Sequence, residues 1–110
     1  MPEYRETMIL TLQYFDGCPS WLTTERDLLD LANKHHDLAV VTQRVESAED
    51  AERLGFRGSP TVLLDGIDLF PDVNTAVGLA CRRYLTPDGI QGYPSRHQLR
   101  EAILSGIQDT

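Results

Sequence analysis

The segment GFRGSPTVLLDG, residues 55–66, carries the clearest structural signals in this chain. Gly55 follows a short amphipathic stretch, and a glycine in that place indicates the end of a helix. Residues 61–64 are apolar and rich in β-formers, which favours a strand. The Asp65-Gly66 pair that follows is typical of a turn. The segment therefore predicts the end of a helix, a strand and a tight turn in quick succession.

Similar patterns on either side complete the order of elements. Strands are predicted at residues 8–15, 38–45, 61–64 and 81–85. Helices are predicted at residues 20–35, after Ser47 and after Ser95, while residues 67–80 show no clear period and are predicted to be largely loop. This order predicts an α/β fold in one domain, residues 1–110: a single four-stranded mixed sheet flanked by helices, βαβαββα.

Side-chain patterns predict the inner face and the starts of the helices. Ser47 stands three residues before Asp50, and Ser95 three residues before Gln98, as in capping boxes. The predicted inner face of the first helix carries Trp21, Leu28, Leu29 and Ala32.

Composition indicates a globular protein and excludes several classes of partner. A length of 110 residues with 41% hydrophobic and 25% charged side chains fits one domain with its own core. The net charge of −7 repels phosphate backbones and anionic lipid, so neither nucleic acid nor a membrane is expected as a partner. The start, MPEYRETM, lacks the apolar stretch of a signal peptide. We therefore expect a cytoplasmic protein; its oligomeric state is left open.

The stretch FDGCPSW, residues 15–21, places Cys18 between a predicted strand and a predicted helix. Unpaired backbone N–H groups and the helix dipole favour a thiolate there, so the pKa of the Cys18 thiol is expected to be lowered. Pro19 is tolerated at the start of a helix and presets the turn. These features predict a reactive, accessible Cys18 thiol; the alternative is a small buried apolar residue.

Three motifs resemble the thioredoxins and glutaredoxins. Residues 55–66 are similar to the family segment in which a Gly-x-Arg-Gly-x-Pro-Thr run enters a conserved strand through a cis proline. The stretch SRHQLREAI, residues 95–103, resembles the closing helix of the family, and the Cys18-Pro19 pair matches the position of its nucleophile. The matches cover nearly the whole chain apart from an insertion at residues 67–80. The resemblance implies a thioredoxin-like fold.

The resemblance also implies the roles of individual residues. Cys18 becomes the nucleophile, and a cis Pro60 beside it leaves the backbone N–H and C=O of Ser59 free to pair with an extended thiol substrate. The residues expected to bind substrate are Pro19, Trp21, Ser59, Pro60 and Thr61. Trp21 stands where the family has its second cysteine. We interpret Trp21 mainly as a core residue, with a cover over Cys18 as the alternative.

The second thiol is an open question. Cys18 and Cys81 are the two cysteines of the chain, too far apart in sequence for a CxxC motif, and both are expected as free thiols. A mixed disulfide on Cys18 would be released by Cys81 or by an external thiol such as glutathione. A simple hairpin of strands 61–64 and 81–85 would place Cys81 more than roughly 10 Å from Pro60, whereas bridging needs Cα atoms within about 7 Å.

A different path for the insertion would remove this obstacle. Residues 67–70 would return as a strand of their own and bring residues 71–80 over the end of the sheet where Cys18 lies. Arg82 and Arg83 follow Cys81 and are predicted to alternate on a half-exposed strand, with binding of a carboxylate as the alternative.

Three functions compete at this stage. The first is a thiol–disulfide oxidoreductase that uses Cys18 as nucleophile, with glutathione or Cys81 as the second thiol and no required cofactor. Its partner would be a thiol or disulfide on a protein or a small molecule. The second is a thioredoxin-like binding module without turnover, which the missing second active-site cysteine favours. The third is a dithiol protein that handles soft metals or organomercurials, which requires the two sulfurs to meet.

Overall fold

The computed structural model describes residues 7–35, 37–71 and 75–108 of the chain. The charged residues 1–6 and residues 72–74 of the predicted loop lie outside this part. The helices are α1 Trp21–Lys34, α2 Ala48–Leu54 and α3 Arg96–Gln108. The strands are β1 Met8–Tyr14, β2 Leu38–Arg44, β3 Thr61–Leu64, β4 Ile67–Asp68, β5 Tyr84–Thr86 and β6 Gly89–Gln91. Among the described residues, no helix is long and apolar enough to cross a bilayer.

Four strands form one mixed sheet in the order β2-β1-β3-β4. Strands β1 and β2 run parallel, as expected for two strands joined through α1, and β3 pairs antiparallel with β1. Strand β4 pairs antiparallel with β3 at the edge of the sheet. Together with three helices in the described residues, this sheet confirms the predicted α/β class.

The predicted fourth strand at residues 81–85 is present only as β5, Tyr84–Thr86, and it does not join the sheet. The edge position beside β3 belongs to β4, and residues 84–86 pair instead with β6 in a separate two-stranded ribbon. The Asp65-Gly66 turn explains the difference, because both residues have a positive φ, +49° and +89°. Such turns suit two-residue hairpins, so the chain returns immediately along β3. The Asp65 carboxylate also accepts a 2.8 Å hydrogen bond from the backbone N–H of Ile9, which fixes the turn to β1.

The main core lies between the sheet and helices α1 and α3. Alternate residues of β1 and β3 face the helices, as the two-residue period of a strand requires. The buried members of this cluster are Leu10, Leu12, Leu28, Leu31, Leu38, Val62, Leu64, Leu99 and Ile103. Helix α3 begins with the predicted capping box, because Ser95 N–H donates to Gln98 Oε1 and Gln98 N–H donates to Ser95 Oγ.

The inner face of α1 differs from the predicted one at Leu29. Leu28 is fully buried as expected, but Leu29 is 50% exposed. The buried residues of this helix are Thr24, Asp27, Leu28 and Leu31. These positions have the i, i+3, i+4, i+7 spacing of one helical face, and Leu29 lies a further 100° or so around the axis from Leu28.

A second, smaller core forms around α2. Its buried members are Val45, Ala51 and Phe56, and Val77 and Leu79 from the insertion pack against them. Gly55 ends α2 in the left-handed conformation at φ +66°, which confirms the predicted helix stop. Residues 77–79 of the insertion are therefore attached to the rest of the molecule by apolar contacts.

We predict that Thr24→Val stabilises the protein. The Thr24 Oγ1 atom is buried and has no hydrogen-bond partner among the described residues. Valine keeps the branched shape and removes the unsatisfied hydroxyl, which costs about 1 kcal/mol or more when buried. The expected gain of about 1 kcal/mol corresponds to a rise of roughly 4 to 8 °C in the melting temperature.

Thr23→Val is the matched control, because Thr23 is only half-buried on the same helix turn. Thermal unfolding of both variants, with the disulfide intact, should show the gain for position 24 alone. A lower melting temperature for Thr24→Val would show that the hydroxyl is satisfied.

Candidate functional site

Cys18 and Cys81 form a disulfide bond, although they lie 63 positions apart in sequence. Their Cα atoms are 5.7 Å apart, within the range that a disulfide can span. Neither cysteine is a free thiol in this structure. The separation of more than roughly 10 Å between Cys81 and Pro60 was expected for a hairpin of residues 61–64 and 81–85. That hairpin does not form, because β4 takes the place beside β3.

The insertion brings Cys81 to the site by the second path considered above. Strand β4 returns along β3, and further along the chain Val77 and Leu79 pack against the small core around α2. The backbone N–H of Gly78 donates to the carbonyl oxygen of Phe56 at 3.0 Å. The segment that follows, residues 80–82, then lies directly beside Ser59.

Ser59 forms a parallel β-bridge with Cys81. Its backbone N–H donates to the carbonyl of Ala80 at 2.8 Å, and its carbonyl accepts from the N–H of Arg82 at 3.0 Å. The Ser59–Pro60 peptide bond is cis, as the resemblance implies. The expectation that the N–H and C=O of Ser59 are free to pair with a substrate is wrong for the disulfide-bonded protein. The chain itself occupies both groups.

The side chain of Ser59 connects this bridge to the segment that carries Cys18. Its Oγ accepts a 3.2 Å hydrogen bond from the backbone N–H of Phe15. The Phe15 carbonyl in turn accepts from the N–H of Cys18 at 3.1 Å. Ser59 is fully buried, so these bonds are shielded from water. A single residue therefore holds the backbones of both cysteine-bearing segments.

Cys18 lies just outside α1 and is shielded from solvent. The helix begins at Trp21 with Ser20 as N-cap, so Cys18 precedes the N-cap by two residues and is not in the first turn. One extra turn, closed by Leu22 N–H to the Pro19 carbonyl at 3.1 Å, joins the two. Cys18 is 2% exposed, whereas Cys81 is exposed. The predicted accessible Cys18 is thus wrong for the oxidised protein, in which the exposed partner is Cys81.

Arg82 is buried and Arg83 is exposed, as the predicted alternation requires, but neither residue lies in a strand. It is 2% exposed, and its guanidinium Nη1 lies 3.1 Å from Asp68 Oδ2 and 3.1 Å from Thr61 Oγ1. Nη2 donates to the carbonyl of Phe70, and the guanidinium carbon lies 5.0 Å from the centre of the Tyr84 ring. These contacts use three of the five N–H donors of the guanidinium, and the Asp68 carboxylate already pairs with its charge. Arg83, the next residue, is exposed.

The other predicted site residues lie around the disulfide in different roles. Trp21 stacks on Tyr14 with ring centres 4.0 Å apart and packs against the main core, which confirms the core interpretation. Pro60 is fully buried, and its carbonyl accepts a 2.5 Å hydrogen bond from the Tyr84 hydroxyl. Thr61 donates to the Gly58 carbonyl at 2.6 Å, and Pro19 is exposed. Substrate binding by these residues stays a prediction.

Sequence reasoning missed the residues that hold the segment around Cys81. Asp68, Tyr84 and Gly58 contact Arg82 or its neighbours, and none of them was a candidate. Asp68 stands two residues after the Asp65-Gly66 turn, and a strand there would have placed its carboxylate near Thr61. Recognising Asp68 as a partner of Arg82 would require the turn geometry and the position of Arg82. No local sequence pattern provides either of them.

No model of a known protein family matches this sequence, and no curated protein is similar to it. The resemblance to thioredoxins and glutaredoxins therefore stays a prediction. The described residues contain no group of three or more His, Cys, Asp or Glu side chains that could hold a metal ion. The two cysteine sulfurs are thus the chemically distinctive feature of the site.

We predict that Gly58→Ala destabilises the protein more than Gly55→Ala. Both glycines have a positive φ, but a Cβ at Gly58 would lie 3.0 Å from Arg82 Cβ and 3.2 Å from its Cα and N. A Cβ at Gly55 meets nothing within 4 Å. We expect Gly55→Ala to cost about 1 kcal/mol for backbone strain alone, and Gly58→Ala about 2 kcal/mol or more.

Urea unfolding of the two oxidised variants measures this difference. Equal losses for both would contradict the close approach of the Arg82 backbone to residue 58.

Proposed function

We propose that this protein is a thioredoxin-like thiol–disulfide oxidoreductase whose redox pair is Cys18 and Cys81. The observation that carries the proposal is the disulfide between them, seated against Ser59 and the cis Pro60. In this arrangement Cys81 takes the place of the second active-site thiol that Trp21 leaves open. Glutathione or a protein thiol is the external partner, and no cofactor is required.

The arrangement of elements supports the thioredoxin-like part of the proposal. A parallel β1-α1-β2 unit carries Cys18 at the end of its first strand, and β3 follows directly after Pro60. Strand β3 pairs antiparallel with β1, so the start of β3 lies beside the end of β1: Thr61 is opposite Gln13. This pairing brings the proline and the cysteine segments together at one end of the sheet.

The exposure of the two cysteines suggests the order of the exchange steps. An external thiolate attacks the sulfur of Cys81, the more exposed of the two residues, forms a disulfide with it, and displaces Cys18 as a thiolate. A second external thiolate then attacks the external sulfur of this mixed disulfide and releases Cys81. Two external thiols have become one disulfide, and two electrons have passed to the protein.

In the opposite direction Cys18 acts as the internal nucleophile. The Cys81 thiolate attacks a substrate disulfide, forms a mixed disulfide and expels one substrate thiol. The Cys18 thiolate then attacks Cys81 and expels the second substrate thiol, which restores the Cys18–Cys81 bond. This order reverses the roles expected from the sequence, in which Cys18 attacks the substrate and Cys81 or glutathione releases the mixed disulfide.

The filled groove argues against the binding-module alternative. That function needs the N–H and C=O of Ser59 for a partner strand, but both already pair with residues 80 and 82. The proposal includes the predicted cytoplasmic location. Disulfides in a reducing compartment are usually transient and catalytic, which is the role proposed for the Cys18–Cys81 bond.

We predict that the wild-type protein catalyses exchange between glutathione and a small disulfide, and that each cysteine variant loses this activity. Turnover is measured at pH 7 for the wild type, Cys18→Ser and Cys81→Ser. The single variants also separate the two roles when each reduced variant reacts with glutathione disulfide, which leaves one glutathione on the protein and releases the other. Cys18→Ser should form the adduct on Cys81 at least about tenfold faster than Cys81→Ser forms one on Cys18.

The absence of catalysed exchange by the wild-type protein would contradict the proposed function. An adduct rate that is equal or faster at Cys18 would instead reverse the order of steps while leaving the redox pair in place. Peptide mapping of the alkylated products identifies the cysteine that carries each adduct.

Soft-ion binding is a second candidate, favoured by the 5.7 Å separation of the two cysteine Cα atoms. After reduction, two adjacent thiolates suit a soft, two-coordinate cation such as Ag⁺ or an organomercurial. We predict a one-to-one complex when the reduced protein is titrated with Ag⁺ in the presence of a weak competing thiol. Retention of the same affinity in both serine variants would contradict binding between the two sulfurs.

A further inference from the structure

We propose that Arg82 is the positioning residue of the redox pair: it keeps Cys81 docked beside Ser59 after the disulfide is reduced. This inference rests on the proposed function, because it concerns the same two cysteines. It deepens that function by naming the group that determines how strongly the reduced thiols tend to pair again.

The backbone on both sides of Cys81 is held without help from the sulfur. Ala80 accepts from Ser59, and Arg82 donates to Ser59, so the bridge consists of two hydrogen bonds to a fully buried residue. The Tyr84 hydroxyl bonds the Pro60 carbonyl two residues further on. The segment therefore has at least three polar contacts with residues 59–60 that remain possible in the dithiol form.

The side chain of Arg82 adds the strongest of these attachments. Its guanidinium meets the Asp68 carboxylate, the Thr61 hydroxyl and the Phe70 carbonyl. Both Asp68 oxygens are used, because Oδ1 accepts from the backbone N–H of Phe70 at 2.9 Å. Removing one member of a buried, hydrogen-bonded ion pair is costly because the other is left uncompensated. Undocking the segment would break the three contacts of the Arg82 guanidinium together.

The neighbouring backbone is shaped to admit this residue. Gly58 lies so close to Arg82 that a Cβ there would meet the backbone N and Cα of Arg82 at 3.2 Å. The Thr61 hydroxyl donates to the Gly58 carbonyl while accepting from Arg82, so it links the segment around Gly58 to the segment around Arg82. Residues 58–61 thus form a binding site for Arg82, and none of these contacts involves a cysteine sulfur.

Docking affects the redox equilibrium through effective concentration. The reaction is the protein disulfide plus two glutathione thiols giving the protein dithiol plus glutathione disulfide. A docked Cys81 keeps its thiol at a high effective concentration beside Cys18, which favours the internal disulfide. If residues 80–82 were released from Ser59, the Cys81 thiol would encounter the Cys18 thiol far less often, because a long stretch of chain joins the two.

The test uses the full chain with Arg82→Met, and Arg83→Met as its matched control. Methionine keeps an unbranched side chain but removes the guanidinium. Each protein is equilibrated in glutathione redox buffers at pH 7, quenched with acid, alkylated and counted as disulfide or dithiol by mass spectrometry. We expect Arg82→Met to lower the equilibrium constant for the internal disulfide at least about tenfold, which is about 30 mV for a two-electron couple.

Arg83 is exposed, so Arg83→Met should leave the equilibrium constant within twofold of the wild-type value. An equal constant for the two methionine variants, both with native circular dichroism, would overturn the positioning role. If Arg82→Met fails to fold, Asp68→Asn replaces it, because Asp68 is partly exposed and asparagine removes the ion pair. The same loss of about tenfold is expected for it, and an unchanged constant overturns the proposal.

Hydrogen exchange of the reduced wild-type protein tests the docking directly. With a phosphine reductant present, the amides of Ser59 and Arg82 should stay protected, because their acceptors remain in place. Exchange at the rate of an unstructured peptide would show that the segment is released, and would overturn the inference. This readout needs no reaction with glutathione, so it separates a failure of the positioning role from a failure of the proposed enzyme function.

Discussion

The site depends on the pairing of residues 80–82 with Ser59. That bridge places Cys81 against Cys18, fills the edge that a substrate strand would use, and leads Arg82 into its buried position. It forms at an end of the sheet where β1 and β3 meet and where their backbone groups would otherwise lack partners. A buried backbone N–H or C=O without a partner is costly, and residues 80 and 82 supply the partners for Ser59. The same pairing places Cys81 next to Cys18, where the disulfide forms.

The elements that sequence patterns predicted well are those determined by neighbouring residues. Strand β3 has the bounds expected from its β-rich composition, Gly55 ends α2, and Ser95 with Gln98 caps α3. At the two helix ends the stabilising contact joins residues within three or four positions of each other, or depends on a single backbone conformation. Strand β3 pairs with the distant β1, but its β-rich residues and the turn after them indicate its bounds. Such contacts are encoded locally, so a single sequence is enough to find them.

The features that were missed depend on contacts between distant parts of the chain. Whether residues 81–85 join the sheet depends on β4, which a two-residue turn with positive φ directs back along β3. The burial of Arg82 depends on Asp68 and Thr61, 14 and 21 residues away. An arginine in a strand pattern is ordinarily exposed. It is buried where a carboxylate and other hydrogen-bond acceptors pair with its guanidinium. The distance between the two cysteines was misjudged for the same reason.

The large separation of the cysteines makes the proposed redox pair differ physically from a CxxC pair. Closing a loop across 63 residues restricts the unfolded chain strongly, and the chain-entropy estimate for a loop of this size is roughly 4 kcal/mol of stability. A four-residue loop restricts the unfolded chain far less. By linkage, whatever the disulfide adds to folding, folding must add to the disulfide. The redox equilibrium of Cys18 and Cys81 is therefore governed by how well the reduced chain keeps its tertiary contacts, and Ser59, Asp68 and Arg82 provide those contacts beside the sulfurs.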